Sequence, residues 1–131
     1  MPNRAIEFHD STLHSLQEDG MNLRLRFSAA YIHESSGEPG WNAGSGWVQE
    51  AVLHITDVSL SGEVPELPCD LWDGDLRLGN DLFKMIPIPL NYHGAVEINL
   101  ERDRKMRVIG THVRLELVGE ATYVEEFPGH S

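Results

Sequence analysis

Apolar and polar residues alternate with a period of two from Met21 to Phe127, interrupted only by clusters of Gly, Pro, Asp and Asn. In Met21-Asn22-Leu23-Arg24-Leu25-Arg26-Phe27, successive side chains point to opposite faces, so one face is apolar while Arg24 and Arg26 reach water. Val96-Glu97-Ile98-Asn99-Leu100-Glu101 and Val113-Arg114-Leu115-Glu116-Leu117 repeat the scheme, and no segment keeps a helical period over an adequate length. About eight strands joined by hairpins and Pro-rich crossings predict an all-β fold, an antiparallel β-sandwich or flattened barrel, because such arrangements bury one face of every strand. With 131 residues, the chain suits a single β-sandwich domain over 1–131, large enough to bury a core without disulfides or metal.

Turn chemistry orders the strands. Leu13-His14-Ser15-Leu16-Gln17, Glu18-Asp19-Gly20 and the strand from Met21 spell a hairpin. A two-residue Asp19-Gly20 turn would pair Leu16 with Leu23 and put His14 on the apolar face. A three-residue loop with Gly20 in a bulge puts Leu13 there instead, and is preferred because burying Leu13 costs less than burying an imidazole. The strand from Met21 is expected to reach about His33, and its return to run from Trp47 to about Leu60.

Between them, Glu34 to Gly46 reads as the longest irregular loop, too rich in Gly and Ser for regular structure and without the Gly-Lys-Ser/Thr ending of a phosphate-binding loop. Its Trp41 must dock on its own protein or be available to a partner. Gly62, Pro65 and Pro68 mark an extended connector, and Asp75 to Leu78 a short strand between turns. The prolines of Ile86-Pro87-Ile88-Pro89-Leu90 mark a sheet edge. A hairpin from Ala95 to Leu117 turns around Glu101 to Lys105, with Gly110 or Gly119 as bulge points, and Ala121 to Phe127 adds a final strand.

Charge narrows the partners. A net charge of −11, from 21 acidic and 10 basic residues, argues against a phosphate backbone and hence against nucleic acid. Arg102, Arg104, Lys105 and Arg107 form the one basic cluster, but Glu101 and Asp103 interleave with it, as in a charged hairpin loop. A single cysteine, Cys69, and a start, Met1-Pro2-Asn3-Arg4, that leads into no apolar stretch point to the cytoplasm. No run approaches the roughly 20 apolar residues of a membrane helix, so no membrane partner is expected.

Phe8-His9-Asp10-Ser11-Thr12-Leu13-His14 holds the residue types of a hydrolytic triad, yet adjacent side chains diverge, and Asp10-Ser11 reads more simply as a turn. Metal binding is the better chemical alternative, with His9 and His14 as candidate ligands alongside another His or a carboxylate. Their separation of five residues puts them on opposite faces of a straight strand, so both reach one metal only if Asp10-Ser11 bends the chain. Neither His-x-His nor His-Glu-x-x-His occurs. Asp70, Asp73, Asp75 and Asp81 miss the register of a calcium loop and read as turn formers.

Near the end of the chain, Tyr123 and Phe127 alternate with acids, as a plain edge strand or as aromatic anchors in an acidic rim. The leading expectation is a non-enzymatic, cytoplasmic protein-interaction module that binds a basic protein or its own copy through its acidic surface, with Trp41, Tyr123 and Phe127 as contact residues and no cofactor. Neutralising a basic toxin or nuclease, as bacterial immunity proteins do, is one form of this, suggested only by size, acidity and compartment. The alternative is a small-ligand carrier or metal-dependent enzyme with a histidine-containing pocket, and a third is a homo-oligomer burying an apolar patch.

Overall fold

The computed structural model describes residues 2–129. The described residues form ten strands: β1 (Asn3–Asp19), β2 (Asn22–Ser35), β3 (Gly44–Thr56), β4 (Ser59–Gly62), β5 (Cys69–Asp70), β6 (Asp73–Leu78), β7 (Asp81–Phe83), β8 (Met85–Ile88), β9 (Asn91–Glu101) and β10 (Lys105–Phe127). They hydrogen-bond into one antiparallel sheet in the order β5-β1-β2-β3-β10-β9-β6-β7, with β8 beside the start of β1 and β4 beside the start of β10. The all-β reading therefore holds, with ten strands where about eight were expected, because two-residue β5 and three-residue β7 lie inside turn-rich stretches.

Alternation sets burial as the pattern predicts: Leu23, Leu25 and Phe27 are buried while Arg24 and Arg26 are not. With Phe8, Leu53, Ile55, Leu76, Ile98 and Val108 they fill the space inside the folded-over sheet. Among the described residues no strand of one end pairs with a strand of the other, so the sheet is not closed into a barrel. Instead the Leu71 N–H donates to the Ser11 carbonyl at 3.0 Å and the Trp72 N–H to the Glu101 carbonyl at 2.9 Å, tying β1 to β9 through two successive residues.

Local details differ from the sequence reading. The first hairpin turns on Gly20 and Met21, with Asp19 opposite Asn22 and Leu16 opposite Leu25, so neither anticipated turn forms. Leu13 is nevertheless buried and His14 exposed, because a register shift between Leu13 and Ser15 resets the faces. The expected loop over 34–46 is shorter, since Glu34 and Ser35 belong to β2 and Gly44 to Gly46 to β3. β3 and β4 keep one register against β10, Thr56 facing His112 and Ser59 facing Ile109, and are interrupted at Asp57, whose backbone is left-handed (φ 54°). The Pro-containing β8 pairs with β1 alone among the described residues, as an edge strand should. Within the basic cluster, Arg104 pairs with Glu63, Lys105 with Glu101 and Arg107 with Glu97. Among the described residues no helix is long and apolar enough to cross a membrane.

Three strands, β1, β2 and β10, are bulged along one line across the sheet, with β3 between the last two. Pairing slips between Glu7 and Thr12 on β1, between Phe27 and Ala30 on β2, and between Val118 and Thr122 on β10. The resulting crease separates an arm, built from β8, the start of β1, the end of β2, the start of β3 and the end of β10, from the body that holds most of the core.

Closure of the body depends on a glycine. A Cβ on Gly74 of β6 would stand 2.7 Å from ring carbons of Phe8 and 2.9 Å from the Asn99 carbonyl. Gly74→Ala is expected to cost about 1–3 kcal/mol through overpacking. Chemical denaturation measures this, and unchanged stability would contradict the close approach.

Candidate functional site

On the arm, Tyr31-Ile32-His33 alternates, so Ile32 enters the core while Tyr31 and His33 share the opposite face. The antiparallel register sets Glu7 beside Tyr31, Gly46 beside His33, and Glu125 and Phe127 beyond them on β10. Gly46 makes room for the phenol: a Cβ there would lie 2.2 Å from Tyr31 Oη. The phenol thus passes over β3 and donates to Glu125 Oε1 at 2.5 Å. The His33 ring stacks on Phe127 with centroids 4.9 Å apart and lies 5.2 Å from the Tyr31 ring. Its Nε2 pairs with the Glu7 carboxylate, and its Nδ1 is buried with no hydrogen-bond partner. A carboxylate only accepts, so Nε2 carries the proton and Nδ1 presents a lone pair when the ring is neutral.

The crease supplies the rest. Asp10 is left-handed (φ 71°), a conformation that costs a non-glycine residue about 1 kcal/mol or more. Ser11 Oγ donates to the Glu7 carbonyl and accepts from the Tyr31 N–H, so a buried hydroxyl closes the bulge and is not presented as a nucleophile. The bend turns His9 and Asp10 toward the same place: His9 Nδ1 lies 3.3 Å from Asp10 Oδ2 and 3.7 Å from Glu7 Oε1. The ligand atoms of Glu7, His9 and Asp10 all fall within 4.8 Å of one another. Donors in a tetrahedral zinc shell stand about 3.4 Å apart for bonds near 2.1 Å, so this triplet is close to the spacing one ion requires.

The loop between β2 and β3 folds back over this face. Trp41 N–H and Asn42 N–H donate to the Glu38 carbonyl, Asn42 Oδ1 accepts from the Glu38 N–H, and Ser35 Oγ donates to the Ala43 carbonyl. At Gly40 (φ 81°) the loop runs so close to β8 that a Cβ would stand 2.3 Å from Met85 Cε. Beneath it opens a cavity of about 440 Å³ lined by the acids Glu7, Asp10 and Glu125, by Glu34, and by the rings of Tyr31, His33, Trp41 and Phe127, with no Lys or Arg; the unbroken register from Tyr31 to Ser35 turns the Glu34 side chain to the face of Ile32.

Of the residues singled out from sequence, His9 joins Glu7 and Asp10, whereas His14 is exposed and outside that group. Trp41 and Phe127 both line the cavity. Tyr123 does not join them, because a slip between Tyr123 and Glu125 turns it to the other face, where it packs edge-on against Trp47 at 5.3 Å. Glu7, Asp10, Tyr31, His33 and Glu125 were not anticipated as a set. The pairing of Tyr31 with His33 on one face was readable from the Tyr-Ile-His alternation; their acidic partners come from distant strands. No protein family, no curated protein and no solved structure matches the chain.

Burial, and then the hydrogen bond to Glu125, raise the Tyr31 pKa well above its ordinary 10.0, with the charges of Glu125, Glu7 and Asp10 adding to the shift. The neutral phenol is favoured by folding, so this stabilisation is complete below pH 10.0 and declines as the pH rises past that value. In an ultraviolet titration Tyr31 is expected to ionise after free tyrosine. Glu125→Gln should lower its pKa while leaving it elevated, since burial remains. Ordinary titration of Tyr31 in the native protein would refute the arrangement.

Proposed function

We propose that this chain is a non-enzymatic, cytoplasmic protein-interaction module whose partner is a basic protein. The cavity wall carries the proposal: the acids Glu7, Asp10 and Glu125 and three aromatic side chains, Tyr31, Trp41 and Phe127, line it without any Lys or Arg. Such a lining attracts cationic groups and supplies ring faces for them, while the net charge of −11 speeds encounter with a cationic protein. Trp41, 56% exposed at the rim, is a natural anchor. Cys69, the single cysteine of the sequence, has no partner for an intrachain disulfide, which suits a reducing compartment. Neutralisation of a basic toxin or nuclease is one activity of this kind.

Binding of a fluorescent Arg- and Lys-rich peptide, followed by anisotropy, tests the reading. Affinity should fall as salt rises, and Trp41→Ala should weaken binding about ten-fold, or about 1.4 kcal/mol. Salt-insensitive binding, or binding indifferent to Trp41 and Asp10, would sink it.

One observation favours a second reading, a metal-dependent pocket: Glu7, His9 and Asp10 converge at the cavity edge, and the His33 ring holds the second oxygen of Glu7, as outer-shell partners of metal ligands do. Calorimetric titration with Zn²⁺ decides it. One site lost in His9→Ala and kept in His14→Ala would support a metal centre; no saturable site would remove it.

A further inference from the structure

We infer that the cavity under the Trp41 loop is a receptor for a single guanidinium group, the side chain of one arginine on the protein partner. This rests on the basic-partner reading and specifies its recognition element. A guanidinium and an ammonium differ in shape and donor count. The guanidinium is a flat fork of five N–H donors, weakly hydrated and able to lie against rings, whereas the ammonium is compact, has three donors and is strongly hydrated.

The acceptors here are dispersed. Glu7 and Asp10 come from β1 and Glu125 from β10, and β1 and β10 are separated by two intervening strands. Strands about 4.8 Å apart put the backbones of Glu7 and Glu125 roughly 14 Å from each other, so the carboxylates reach inward from opposite walls. A fork that donates in several directions can meet more than one of them, and a point charge favours one wall.

The second observation is independent of charge. His33 is 8% exposed, lines the cavity, and its Nδ1 has no partner. An unsatisfied buried acceptor costs about 1–3 kcal/mol and is retained where a ligand donor completes it. With Nε2–H committed to Glu7, the Nδ1 lone pair is left to accept an N–H from a ligand that can aim a donor at it. The Gly40 backbone, whose added Cβ would come within 4.0 Å of His33 Cγ, overlies this ring, so entry requires the 36–43 loop to lift. The arginine therefore enters beneath the loop, donates to Nδ1 and to carboxylates, and rests its plane on the aromatic wall.

The test is a nuclear magnetic resonance titration of the whole chain with N-acetyl-arginine methylamide and its lysine and citrulline counterparts. The arginine amide is expected to shift Gly40, the Trp41 indole, Phe127 and the His33 Nδ1 signal, and to bind at least ten-fold more tightly than the lysine amide; citrulline should not bind. His33→Phe keeps a stacking ring but removes the acceptor, and should abolish the arginine preference while circular dichroism stays native. Equal affinity for arginine and lysine amides, or a preference that survives His33→Phe, overturns the guanidinium receptor and leaves the basic-partner reading standing. If the Arg- and Lys-rich peptide itself shifts only residues outside the cavity, both fall.

Discussion

Ser11 Oγ holds the crease on which the arm and its cavity depend. Between Glu7 and Thr12, β1 leaves the ladder, and a buried hydroxyl takes over, donating to the Glu7 carbonyl and accepting from the Tyr31 N–H. Without it, two buried backbone groups would lose partners at about 1–3 kcal/mol each. The matching slips on β2 and β10 let neighbouring strands bend at the same place, which keeps the ladder continuous on both sides of the fold line.

Two consequences follow from that bend. Phe8 turns into the body, where it meets Gly74 and helps bring β1 against β6, while His9 and Asp10 turn outward beside Glu7. Beyond the bend, the outward face of the arm is furnished with Ala5, Gly44 and Gly46, so large side chains from adjacent strands can lie across it. Tyr31 uses that space to reach Glu125, and Phe127 to stack on His33. The cavity is thus a product of missing side chains as much as of those present.

Regular alternation made the strands readable, because burial in Leu23, Leu25 and Phe27 follows residue type at a period of two. The site was less readable for a geometric reason. A slip of one residue exchanges the faces of everything beyond it, and the slip near Val124 that parts Tyr123 from Phe127 has no Gly, Pro or Asn to announce it. Convergence was hidden as well: Tyr31 and Glu125 are 94 residues apart in sequence, and His33 and Glu7 are 26 apart. His9 stood out from sequence, but the partner proposed for it, His14, lies past a second shift in β1, while its real neighbours are adjacent Asp10 and nearby Glu7.

The location of the polar pairs bears on their purpose. The Glu7–His33 and Tyr31–Glu125 contacts lie on the face of the arm opposite Ile6, Ile32 and Ile86, which pack into the core. Apolar residues at these positions would shield the arm at lower desolvation cost, since buried charged pairs contribute little net stability against well-packed hydrophobic replacements. The same face also contains a left-handed Asp10 and an imidazole nitrogen without a partner, both of which work against folding. Several unfavourable features thus gather in one small cavity of the arm, where local choices depart from the consistency that packing alone favours, and such departures are expected where a surface answers to something other than folding.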